Sequence, residues 1–554
     1  MKVTAFALAL ALVFGAARAA PPPPAKPFVW ENATIYFVLT DRFNNANSAN
    51  DHAYGRKDDA APLRGYMGGD FAGITAKIRA GYFKDLGVDA IWITPPVEQI
   101  HAGTDEGTGK SYGFHGYWAR DFTSIDANLG SEADLHELVD TAHANGIRMI
   151  LDVVINHTGP VTPDDPVWPA DWVRLHPTCT FKDAKTTTDC ALVENLPDVR
   201  TDVNTDVNTD VALPPALADK WRAEGRYARE SAELDAFFKR TGYPRAPRYY
   251  IIKWQADWVR KYGFDGIRAD TAKHTEPGVW KELKTEASIA YEDWKRTHPR
   301  ERLGDDKFWM TAEVYNFNVQ AGHRFDMGGG DVVDFYNYGF DSLINFGLRG
   351  DAQHGYEALF SAYSNALHGP LKGVSFLNYA SSHDDGAPFD ALRTRPFETA
   401  NLLLLAPGAA QIYYGDETAR LLHADGASGD AHLRSFMNWD ELAANAQRKG
   451  YRIADVRRHW SLLGQFRRAH PAVGAGVHRK LQDAPYVFAR TWGSADSVVV
   501  ALDVPTDRAV ALPVGGVFRD GETVRDAYSG KRAVVAGGKV RFDARNAVVL
   551  ISRD

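Results

Sequence analysis

The chain has 554 residues, of which 45% are hydrophobic and 24% charged. That composition excludes a disordered chain, a collagen-like fibre and a polytopic membrane protein. Lys plus Arg is 63 and Asp plus Glu is 71, a net charge of −8, which argues against a general nucleic-acid binder. At roughly 150 residues per domain the length predicts three or four domains, or one large barrel with attachments. Aromatic residues reach 12%, with 14 Trp and 23 Tyr; they suit either a large core or rings that stack on a flat ligand.

In chain order, the first element is an export signal. Lys2 precedes an apolar run from Val3 to Gly15, and Ala17-Arg18-Ala19 gives a small-x-small cleavage pattern. A spanning helix needs about 20 apolar residues, so the run is too short. Residues 1–19 read as a signal peptide, with an uncleaved membrane anchor as the alternative. Residues 20–28, with prolines 21 to 24, read as a stiff tether. The mature chain is expected to be off the membrane, in the periplasm or secreted. Cys179 and Cys190 are the two cysteines. In an oxidising compartment they are expected to form one disulfide, worth on the order of 3 kcal/mol for so short a loop; two free thiols are the alternative.

Short apolar, β-branched runs follow at intervals: 35–38, 90–93, 149–154, 266–268, 308–311, 343–346, 374–377 and 411–414. Such runs suit strands buried on both faces of a parallel sheet. Helical patterns lie between them. Ser131 and Asp134 resemble a capping box, with Leu135, Leu138, Val139 and Ala142 on one face behind it. Ile74, Ile78 and Leu86 mark a single helix ending before Gly87. Eight strand–helix repeats predict an α/β fold, a (β/α)8 barrel. A doubly wound sheet is the rival, but no glycine-rich phosphate loop follows the first strand.

Val154 and Ile267 are 113 residues apart, against 56 from Ile35 to Ile91, so a domain is inserted after the third strand. It holds both cysteines and the Thr-Asp-Val-Asn repeat starting at Thr201. Asp202 and Asp206 in that repeat read as a solvated loop more readily than as a cation site. After residue 472 short alternating runs such as 497–502 and 547–551 predict a small antiparallel β-sandwich. The expected division is 29–157 and 251–471 for the barrel, 158–250 for the insertion and 472–554 for the last domain.

The C-terminal ends of barrel strands carry function. Here they read Asp152-Val153-Val154-Ile155-Asn156-His157, Gly266-Ile267-Arg268-Ala269-Asp270, Thr311-Ala312-Glu313 and Ser382-His383-Asp384. Each has an acid. One such acid is often a structural ion pair, but four facing one mouth repel each other, a cost usually tolerated for chemistry or a metal.

These four segments resemble the signature regions of the α-amylase family, glycoside hydrolase family 13, most like its bacterial periplasmic branch. The resemblance implies retaining hydrolysis of α-1,4-glucosidic bonds in starch, glycogen or maltodextrins. It implies Asp270 as nucleophile, Glu313 as acid and then base, and Asp384 as the acid that grips the distorted sugar. Arg268 would hold Asp270 anionic, His157 and His383 would bind sugar hydroxyls, and Tyr117 would stack on the ring. Lys273 and His274 would line the leaving-group side. Calcium is implied as well, held by Asn156, Asp198 and the His274 carbonyl. The partner is an α-glucan, and a monomer is expected. Ser382 departs from the family pattern, which has Asn there. Rival readings are a maltodextrin glucosidase, a transglycosylase, or an inactive glycan-binding relative.

Overall fold

The computed structural model describes residues 27–105, 107–202, 211–543 and 546–554. The expected signal peptide, most of the expected tether and repeat residues 203–210 lie outside them. Eight strands form a closed parallel barrel: β1 (Thr34–Val38), β2 (Ala90–Ile93), β3 (Arg148–Val153), β4 (Gly266–Ala269), β5 (Trp309–Ala312), β6 (Ser342–Asn345), β7 (Ser375–Tyr379) and β8 (Ala409–Tyr413). Each pairs with its sequence neighbours, and β8 closes on β1. All eight strands are buried along their length. This is why their sequences are continuous apolar runs rather than alternating ones.

The capping box at Ser131 is present. Asp134 N–H donates to Ser131 Oγ at 3.3 Å, and Ser131 N–H donates to Asp134 Oδ2 at 2.7 Å. The helix behind it, Glu132–Ala144, buries Leu135, Leu138, Val139 and Ala142. The single helix expected across Ile74 to Leu86 is instead two, Phe71–Arg79 and Tyr82–Leu86. Gly81 breaks it by adopting φ 79°, a left-handed conformation that costs glycine little.

Two excursions leave the barrel near its C-terminal mouth. After β2, strands Val97–Gln99 and Ala119–Ile125 pair in antiparallel fashion; the sequence pattern did not reveal this one. After β3 comes the insertion, with paired strands Val173–Arg174 and Asp198–Val199. Cys179 and Cys190 are bonded there, with S–S 2.08 Å. Helices Pro215–Ala223, Tyr227–Thr241 and Pro247–Tyr262 lead back to β4. Beyond helix Ile453–Ala469, a six-stranded antiparallel sheet faces a two-stranded one, Val510–Pro513 with Lys539–Phe542. Val487, Val499, Leu512, Phe518 and Ile551 form their shared core. Among the described residues no helix is long and apolar enough to cross a membrane.

Candidate active site

The site starts from β4. Side chains two residues apart on a strand share a face, so Arg268 and Asp270 point the same way. Parallel pairing sets Arg268 beside Asp152 of β3. Its Nη1 donates to Asp152 Oδ1 at 2.9 Å and to Asp270 Oδ1 at 2.7 Å. Its Nη2 donates to Glu313 Oε2, just past β5, at 2.6 Å. One buried guanidinium therefore joins three carboxylates drawn from three strand ends. Thr271 N–H adds a second donor to Glu313 Oε2 at 3.2 Å. Thr271 sits at φ 46°, a strained backbone for a β-branched residue and a common mark of a functional site.

One cation does not neutralise three carboxylates, so the cluster holds on to protons. Burial pushes Glu313 well above its ordinary range; the Asp270 and Asp384 charges add to this and Arg268 opposes it. Burial likewise pushes Asp152 up to about 7, against the pull of Arg268. Asp152 Oδ2 accepts from Trp92 Nε1 at 2.9 Å and from the Tyr117 hydroxyl at 2.8 Å. Both donors fix Asp152 in place.

Asp384 faces this cluster from beyond β7. Its Oδ2 lies 2.9 Å from His383 Nε2 and its Oδ1 accepts from Arg434 Nη2 at 2.5 Å. Partial desolvation by the cleft walls works to raise its pKa, but His383, Arg434 and Arg268 together hold it well below the usual carboxylate range. Ser382 Oγ lies 3.3 Å from His383 Nδ1, so the departure from the family pattern still contacts that ring. Arg434 was not singled out from the sequence, nor was Trp92. Arg434 lies 50 residues beyond Asp384, and its only local sign is an acid four residues earlier, Asp430.

The remaining candidates lie around the same cleft. The Tyr117 ring stacks on His383, with centroids 5.3 Å apart. It follows Gly116, whose φ of 93° and close approach to Pro95 O, 2.7 Å from where a Cβ would sit, leave room for glycine alone. Its neighbour Trp118 packs in a small apolar cluster with Ile100 and Leu196. His157 Nε2 lies 3.0 Å from the Tyr117 carbonyl. Lys273 Nζ lies 5.0 Å from the Tyr315 ring centroid. Burial lowers the Lys273 pKa, with Glu313 opposing. His274 Nδ1 lies 3.2 Å from the Thr187 carbonyl in the disulfide loop. Burial, and next Lys273, lower its pKa to about 4. Asn156, Asp198 and the His274 carbonyl also meet, with Asn156 Nδ2 3.0 Å from Asp198 Oδ1 and 2.9 Å from the carbonyl. Asp202, by contrast, is engaged by Arg174, and Asp206 lies outside the described residues.

Comparison with known proteins shows the family. The chain is 38% identical over 516 residues to the periplasmic alpha-amylase of Escherichia coli, a match covering 86% of this chain and 72% of that one. The chain belongs to the α-amylase family, glycoside hydrolase family 13. A family model described as alpha amylase, catalytic domain, matches residues 37–163. In this family member that stretch holds Tyr117, Asp152, Asn156 and His157 and ends before the three candidate catalytic acids. A cyclomaltodextrin glucanotransferase of Thermoanaerobacterium thermosulfurigenes is 28% identical over 505 residues, 89% of this chain. The chain spans only 63% of that relative's length. The crystal structure of an alpha-amylase from Geobacillus thermoleovorans, complexed with acarbose, superposes with TM-score 0.64. It covers 95% of this amylase-family chain and all of its own at 22% identity, which speaks to the fold.

Proposed function

We propose that the protein is an exported α-amylase that cleaves α-1,4-glucosidic bonds inside starch, glycogen or maltodextrins and retains the anomeric configuration. The observation that carries this is the single guanidinium of Arg268 spanning Asp270 and Glu313, with Asp384 across the cleft. Sharing one guanidinium keeps both acids in a single small site, as attack and proton transfer on the same bond require, and retention follows from the family resemblance.

In this mechanism Asp270 attacks the anomeric carbon and Glu313 protonates the departing oxygen. Glu313 Oε2 already accepts from Arg268 and Thr271, which leaves Oε1 to carry the proton. The same carboxyl, now ionised, then activates water against the glycosyl-enzyme. Asp384, His157 and His383 hold the sugar hydroxyls, with the Tyr117 ring beneath. Lys273 and His274 take the leaving-group side. Asp152 keeps Arg268 and Tyr117 in register.

Calcium fits the donors near His274. His157 Nε2 faces a carbonyl, which only accepts, so that nitrogen carries the ring proton and Nδ1 of the neutral ring accepts. The amide end of Asn156 facing Nδ1, 3.2 Å away, is then the NH2 group. That turns Asn156 Oδ1 toward Asp198 Oδ1 and the His274 carbonyl. Arg174 Nε, 2.8 Å from Asp198 Oδ2, leaves Oδ1 free. Three converging oxygens suit a hard cation. When bound, calcium would tie the insertion to the barrel.

The division into barrel (29–157 and 251–471), insertion (158–250) and β-sandwich (472–554) belongs to the same reading, as does a monomer. Export to the periplasm or beyond rests on residues 1–19 and on the periplasmic location in the E. coli relative's name. The deciding experiment is product analysis on soluble starch. Rapid viscosity loss, mixed linear oligosaccharides and α-configured products are expected. Glucose alone would point to a glucosidase, and cyclic products to a transferase like the glucanotransferase relatives.

A further inference from the structure

We propose that Arg434 is a positioning residue for Asp384: supplied by the short helix after β8, it aims and fixes the carboxylate that grips the sugar. The proposal rests on reading Asp384 as that acid. Arg434 closes the 3₁₀ turn Gly429–Arg434. Its side chain is 8% exposed, whereas that of Asp384 is 47% exposed to the cleft. Packing covers only about half of that carboxylate. Its orientation must come from its partners.

Arg434 is well placed to impose one. Its Nε donates to the His383 carbonyl at 3.1 Å and its Nη2 lies 2.6 Å from Asp430 Oδ2. Asp430 is itself held by Arg64 Nη2 at 3.0 Å. Arg64 also donates to Ser428 O and Ser111 Oγ, each at 3.0 Å. The planar guanidinium is therefore clamped before it reaches Asp384, and a planar fork transmits direction in a way an ammonium does not. Arg434 Nη2 donates to one carboxylate oxygen, and His383 Nε2 lies 2.9 Å from the other. Every oxygen keeps a lone pair free for a sugar hydroxyl. The charge pinned there also acts on Glu313, whose proton the Asp384 anion helps retain. Arg434 touches neither the nucleophile nor the acid, so its influence on the reaction passes through Asp384 and the backbone of His383 beside it.

The test is a double-mutant cycle on the full-length enzyme, with acarbose affinity and maltodextrin turnover as readouts. Asp384→Asn alone comes first, because unchanged turnover and affinity in that variant would remove the role of Asp384 itself. With that role standing, Arg434→Met should weaken acarbose binding about 30-fold in the wild-type background and less than about threefold in the Asp384→Asn background. Arg434→Lys keeps the charge and should recover part of the lost turnover without restoring it. Equal weakening by Arg434→Met in both backgrounds would overturn the proposal, since a merely structural residue, or one that binds the sugar directly, behaves that way. Full wild-type turnover in Arg434→Lys would overturn the claim that the fork, rather than the charge, sets the orientation. Arg434→Lys also serves as the readable variant if Arg434→Met fails to fold.

Discussion

Arg268 Nη2 donates to Glu313 Oε2 at 2.6 Å, although burial and two flanking carboxylates hold Glu313 in its protonated form. A cation alongside normally strips such a proton. Here Arg268 is shared among three acids, so its pull on any one is diluted. Glu313 therefore has a folded-state pKa above its unfolded value, and its protonated form is lost only as pH rises through the folded value. Activity that needs this proton should fall on that alkaline limb. With a glucosyl fluoride, whose leaving group needs no acid, Glu313→Gln should keep its first chemical step and lose the limb. A persisting limb in that variant would assign it to another group.

Asp270→Asn should lower turnover on maltodextrins by at least about a thousandfold, some 4 kcal/mol of barrier. The circular dichroism melt should stay close to wild type, because Asp152 and Glu313 remain on Arg268. Near-normal turnover would remove Asp270 from the nucleophile's place.

Calcium should act on stability before chemistry, since its proposed donors join the insertion to the barrel. Exhaustive chelation should lower the melting temperature, and added calcium should restore it more than magnesium does, because the smaller ion demands a stricter octahedron. Asp198→Asn should blunt the calcium response. A melt that stays the same with the metal verifiably removed would count against the ion's structural role.

Arg467 gives a prediction away from the cleft. It is fully buried and donates to the carbonyls of Asn32, Leu404 and Ala406 at 2.9, 3.0 and 2.9 Å, and also to that of Gly408. Arg467→Met would leave several buried acceptors unpaired, a loss of at least about 3 kcal/mol. Denaturant unfolding should register it, while turnover per folded molecule stays unchanged.

Much of this was legible in the sequence for a local reason. A strand covered on both faces must be apolar along its length, so all eight barrel strands stood out. Asp152, Asp270, Glu313 and Asp384 stood out because four acids at the ends of such strands face one mouth and repel one another unless they are used. The break at Gly81 was not legible, since apolar spacing alone does not tell one helix from two consecutive short ones. The hairpin after β2 was also hidden; its strands are short and carry polar residues such as Glu98, Gln99 and Asp121.

Sequence by itself determined the barrel, the acids at its strand ends and the family to which they belong, because burial and local spacing are written residue by residue. Tertiary structure alone decided how those acids share their cations. Arg268 reaches three carboxylates because parallel register aligns β3, β4 and β5, and Arg434 meets Asp384 because the turn after β8 folds back across the mouth of the barrel. Electrostatic coupling depends on distance through space, and no spacing along the chain encodes that distance.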